Sequence, residues 1–126
     1  MSLAKVKKLI RKGFQLYEEA ERDLEIYCFN KAVSAAYFAV EAFANAIFYI
    51  KKQKVRGFRG RINLIRNIFG EELGEKMEKL HEKRNNADHY EALMTREDAK
   101  YALKIADELI RKIIHYLKNI IPEAFE

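Results

Sequence analysis

Residues 31–50 constrain this chain more than any other stretch: only Lys31, Ser34, Glu41 and Asn45 among them are polar. A run of that length raises the question of a membrane span, because roughly 20 apolar residues cross a bilayer. Glu41 argues against it, since a carboxylate at mid-bilayer is costly, and the run is built from alanine rather than leucine. Ala35, Ala39, Ala42 and Ala46 recur at helical spacing and read as a small-residue surface for close helix contact. The stretch is predicted to be a helix over residues 31–51, capped by Asn30 and nearly encircled by the rest of the chain. No membrane association is expected.

The flanking patterns are helical too. Leu3, Ile10, Tyr17 and Leu24 form one seven-residue series, and Val6, Gly13, Ala20 and Tyr27 a second, which predicts a first helix over residues 3–26. The connection to the next helix is so short that the two must lie antiparallel. Gly57 and Gly60 mark a loop before a short helix over residues 61–69. Gly70 and Gly74 bracket the next turn, and a fourth helix runs to Asp88. Thr95 and Asp98 form a capping box for a fifth, whose apolar face continues from Ala99 to Leu117 and stops before Pro122. The expected fold is all-α: an up-and-down bundle of about five helices with a long antiparallel hairpin of the first two, in one domain over residues 1–126. A single cysteine, Cys28, excludes a disulfide framework and fits a reducing cytosol. Lysines interrupt every apolar stretch near the start, so no signal peptide is expected and the location is read as cytoplasmic.

Charge is segregated along the first helix. Cations crowd residues 5–12 and acids residues 18–25, the reverse of what the helix dipole prefers, at a cost on the order of a few tenths of a kcal/mol per exposed charge. Either these charges pair with a neighbouring helix or a basic pole is kept for a ligand. Residues 51–66 carry Lys51, Lys52, Lys54, Arg56, Arg59 and Arg61 with no acid among them. An antiparallel hairpin sets this loop beside residues 5–12. The merged pole suits a phosphate backbone, so these six residues are candidate RNA contacts; a solvated loop is the plainer reading. The fourth helix is expected to climb back past the pole, carrying residues 84–89 with it.

Those residues, Arg84-Asn85-Asn86-Ala87-Asp88-His89 with Tyr90 following, concentrate the polar chemistry. At about 100° per residue, Arg84 and Asp88 lie about 40° apart on a helix, and so do Asn85 and His89. His89 can act as acid or base near neutrality. Arg84 can clamp a phosphate and take up transition-state charge. Asn85, Asp88 and Tyr90 are candidate supporting groups. One histidine cannot easily fill both proton roles of a cleavage, and a twofold dimer would supply a second. The plain alternative is an ordinary i, i+4 ion pair followed by a histidine that the helix dipole favours. Ser34, Glu41 and Asn45 share one stripe of the second helix: either it faces solvent, or Glu41 is partly buried and orients Arg84. His81 either assists the site or is exposed and idle. The spacing of Glu78 and His81 occurs in di-iron bundles, which need two such copies; no metal site and no cofactor are expected, and no nucleotide-binding loop or nucleophile elbow is present.

Arg84, four residues and then His89, with polar Asn85 directly after the arginine, resembles the Arg-x4-His signature of HEPN domains. The resemblance covers nearly the whole chain: the long first helix, the Ala/Tyr/Phe-rich second, the basic loop before a short third, and the Ala-rich last helix opening at Thr95. It implies a metal-independent endoribonuclease acting as a homodimer, with Arg84 and His89 catalytic. It also implies a toxin held by a minimal nucleotidyltransferase antitoxin. The alternative is a non-catalytic module that binds nucleotide, RNA or a partner protein. Many short stand-alone relatives have tyrosine where His89 stands. Relatives paired with nucleotidyltransferases often carry a tyrosine two places after the histidine, as a target for AMP transfer; Glu91 holds that position, so the modification does not carry over. Where many relatives have a histidine near the basic loop, this chain has Arg59-Gly60-Arg61.

Overall fold

Two long helices, α1 (Leu3–Glu25) and α2 (Phe29–Ile50), lie antiparallel and form the spine of the computed structural model, which describes residues 1–54, 56–89 and 92–126. The Ser2 hydroxyl caps α1 by accepting from the Lys5 amide (3.3 Å). The Ser2 amide donates to the Tyr49 hydroxyl (2.8 Å), which fixes the amino end of α1 beside the carboxyl end of α2. Tyr27, at φ 64°, turns the chain over, and the Cys28 amide closes α1 on the Asp23 carbonyl (2.8 Å). By length and composition α2 could cross a membrane, yet 67% of that window is buried inside the bundle. It is the core helix, with Ala32, Ala36, Ala39, Val40, Phe43 and Ala44 fully enclosed.

The expected Asn30 cap is not used. Helix α2 starts at Phe29 after Cys28, with no side-chain cap, because the Asn30 amide is recruited by chain that arrives much later. A third helix, α3 (Gly57–Phe69), begins about one turn earlier than predicted. Gly57 takes the left-handed φ of 64° that leads into it, and Gly60 sits so close to Arg56 that a Cβ there would lie 3.2 Å from the Arg56 Cβ. The glycines that read as a loop are the entry to the helix.

Helix α4 (Glu71–His89) follows a turn at Gly70. It runs antiparallel to α2: the Asn30 amide reaches the Ala87 carbonyl, Ser34 pairs with Asp88, and Tyr37 meets His81. Residues 84–89 therefore lie at the amino end of α2, not at the basic pole. Along α2, Ser34 and Lys51 are about 25 Å apart at ~1.5 Å per residue. The reason is the direction of the α3–α4 hairpin. Phe69, at the far end of α3, packs on Tyr116 (5.7 Å), so α3 rises toward the basic pole and α4 descends from it.

The last long helix, α5 (Arg96–Ile120), carries the predicted Thr95–Asp98 capping box. Lys76–Glu108 and Lys83–Asp98 ion pairs bind it antiparallel to α4. A 3-10 turn over Pro122–Phe125 then closes against α1. Among the described residues the elements are helices and that turn, an all-α bundle as expected.

Candidate functional site

The descent of α4 along α2 places each polar residue of the 84–89 stretch against a known neighbour. Arg84 Nε lies 3.0 Å from Asp88 Oδ2. The N–H does not aim along that line, so the contact is an ion pair that leaves Nε–H without a hydrogen-bond acceptor. Nη1 of Arg84 donates to Asn85 Oδ1 (3.2 Å). The guanidinium carbon stands 4.9 Å from the centre of the Phe38 ring and 5.7 Å from that of Tyr37, within cation–π range. Asp88 is held in turn by the Ser34 hydroxyl, which donates to its Oδ1. The side chains of Arg84 and Asp88 are only 22% and 26% exposed. They form a clamp between two helices rather than a solvated pair.

Glu41 does not orient Arg84. It pairs with Arg61 (3.6 Å), whose Nε also donates to Asn45 Oδ1 (3.1 Å). The polar stripe of α2 thus splits, Ser34 serving α4 while Glu41 and Asn45 serve α3. The physical reason is reach, since Arg61 on α3 sits across from Glu41 and Arg84 is one turn further along. Arg61, at 13% side-chain exposure, is lost from the predicted RNA-contact set. Lys51, Lys52, Lys54, Arg56 and Arg59 are exposed. Burial, and then the Glu41 carboxylate, push the Tyr37 hydroxyl above its ordinary range.

His81 is neither idle nor exposed. It is 9% exposed, stacked on Phe58 at 3.8 Å and edge-on to Tyr37 at 5.5 Å. Its Nδ1 lies 3.5 Å from the Asn85 side-chain nitrogen. Burial, reinforced by the Arg84 charge, lowers its pKa, which favours the neutral ring. Glu78, three residues earlier, reaches toward Arg66 instead (3.9 Å).

His89 is the last residue of α4 and is exposed. Five positions from Arg84, it lies about 140° away around the helix. Arg84 faces α2 and His89 faces outward; among the described residues no hydrogen bond joins them. Tyr90 lies outside the described residues. Sequence reasoning missed Asn30, which donates to the carbonyls of Ala87 (2.9 Å) and Ala92 (3.2 Å) and accepts from the Met94 amide (2.9 Å). It ties together the end of α4 and the approach to α5. Phe38 was also missed, although it follows Ser34 by one turn and so lies on the face that meets α4.

Residues 6–119 match the family model of the HEPN domain. The chain belongs to the HEPN family. Comparison with curated proteins finds no match. HEPN membership sets the function among nuclease and nucleotide- or RNA-related activities. The Arg84–His89 stretch lies within the matched region, together with the α2 stripe that anchors it.

Proposed function

We propose that this HEPN protein is a metal-independent endoribonuclease that works as a homodimer, with Arg84 and His89 as its catalytic residues. One observation carries the reading. Arg84 is immobilised by Asp88, Asn85 and Phe38 at the end of α4, one turn before the exposed imidazole of His89. A guanidinium fixed in place and only partly exposed is suited to hold a phosphate and stabilise charge that develops on it. His89 of one copy takes the proton of a ribose 2′-hydroxyl, whose oxygen attacks the adjacent phosphorus. The 5′-oxygen leaves with a proton from His89 of the other copy, and a cyclic phosphate results. The wide angle between Arg84 and His89 on one helix supports a site completed across a twofold axis. The protein acts in the cytoplasm as a toxin, restrained by a minimal nucleotidyltransferase antitoxin.

A second reading has its own observation. Arg84 already spends its contacts inside the fold, as a structural arginine would, and that favours a non-catalytic module that binds nucleotide, RNA or a partner protein. Cleavage assays with a chelator present separate the two. For the nuclease, Arg84→Ala lowers the rate about 10²-fold or more and His89→Ala by about 10² to 10⁴, while RNA binding persists. Absence of cleavage by the unmutated protein across RNA types would leave the module reading in place.

A further inference from the structure

The strongest unexplained feature outside the motif is the distribution of charge. The amino end of α1 and the carboxyl end of α2 share one pole, since Ser2 bonds to Tyr49 and Lys5 Nζ stands 4.6 Å from the Tyr49 ring centre. Cations at residues 5–12 therefore adjoin those at residues 51–56, and all but Lys7 are exposed; Arg59 stands instead over the Phe58 ring, toward His81. Among the described residues, none of these cations makes an ion pair, nor do the acids at residues 18–25. Pairing with a neighbouring helix does not account for the reversed charge order of α1. An ordinary solvated surface intersperses both signs. This one keeps a single sign, against the helix dipole.

The other pole carries both signs. The groove beside Asp88 is lined by Glu19 and Asp23 together with Lys31 and Ser34, and continues past Leu16 and Phe38. A polyanion approaching one copy is thus steered to the end remote from Arg84. We propose that this pole is an anchor for the RNA backbone, separate from the Arg84–His89 end and about 25 Å from it along α2. The second half of the statement rests on the nuclease reading; the anchor itself does not. At ~3.4 Å per stacked nucleotide, a strand that engages both must run about seven nucleotides beyond the cut. Length, rather than base identity, becomes the first requirement for a substrate.

The test uses His89→Ala protein, so that cleavage cannot confuse binding, and single-stranded RNA of about four to sixteen nucleotides labelled for fluorescence polarisation. Lys8→Glu with Arg11→Glu, or Lys52→Glu with Arg56→Glu, should weaken binding at least tenfold. Each lost phosphate contact should also reduce the slope of log affinity against log salt by about 0.7. Arg22→Ala, at the carboxyl end of α1, should leave that slope almost unchanged. These positions are exposed, and an unchanged melting temperature confirms that the variants are folded. Reversals that alter neither affinity nor slope would overturn the anchor. So would vesicles of anionic lipid binding as tightly as RNA, which would make the pole a membrane surface. If the unmutated protein cuts none of these RNAs while the reversals still abolish binding, the anchor stands and the nuclease reading falls.

Discussion

His81 lies face to face on Phe58, ring centroids 3.8 Å apart and planes 11° from parallel. The stack fastens the first turn of α3 to the middle of α4, one turn before Arg84. Burial is the main cause of the depressed imidazole pKa, and the Arg84 charge adds to it. The unfolded chain, with a pKa of about 6.5, then binds more protons than the folded chain just below that value. Stability is full above about pH 6.5 and declines as pH falls toward the lower folded pKa. Urea unfolding at stepped pH should show this decline. His81→Phe keeps the stack and removes the titration, so its stability should change less over the same window. An equal decline in both proteins would sink the assignment.

Asn30 makes three hydrogen bonds to backbone that follows it by more than fifty residues. Asn30→Ala leaves the carbonyls of Ala87 and Ala92 and the Met94 amide without their partner. It should cost about 1–3 kcal/mol. Hydrogen exchange at the Met94 amide should accelerate well before α2 itself opens. If Asn30 were merely a helix cap, exchange would quicken in the first turn of α2 instead.

Gly13 decides a sign. Glycine in mid-helix ordinarily costs about 1 kcal/mol relative to alanine, so propensity alone predicts that Gly13→Ala stabilises. A Cβ at Gly13, however, would sit 2.5 Å from the Phe43 ring, and Phe43 is wholly buried and braced edge-on by Phe14 at 5.1 Å. Overpacking of this kind costs typically ~1–3 kcal/mol. The melting temperature of Gly13→Ala should therefore fall; a rise would mean that the Phe43 ring yields easily.

Asp98 titrates far below the ordinary range. The Thr95 amide bonds to its carboxylate, and Lys83 and the Thr95 hydroxyl add to the effect, so its pKa drops to about 2. A depressed carboxylate contributes stability that is present above about pH 4 and is lost as pH falls through 2. Acid titration of stability should be shallower in Asp98→Asn, which keeps a capping group but no charge. The side chain is 32% exposed, so solvent screens the effect: the difference will be small and should shrink further in high salt.

Much of the architecture could be read in advance because it is local. The twenty-residue run with Glu41 and scattered alanines identified the core helix, since no other placement would satisfy so much apolar surface. The Thr95–Asp98 box was legible because both partners lie within one turn. The antiparallel α1–α2 hairpin followed from a short connection. Position on the bundle was harder. Nothing near Arg61 or Arg84 in sequence states which of them will meet Glu41, because that depends on how far α3 rises before Gly70 turns the chain. Asn30 looked like a cap because caps are local, while its actual partners arrive only when α4 has docked.

By itself the sequence determined that this chain is a helical HEPN protein with an arginine and a histidine five positions apart, since periodicity, caps and motif spacing act within a few residues. Only the tertiary structure decided that Arg84 is clamped to α2 while His89 faces out, that His81 is enclosed between aromatic rings, and that residues 5–12 and 51–54 stand far from Arg84 and His89. Those outcomes depend on the direction in which α4 crosses α2. That direction follows from burying the faces of all five helices at once.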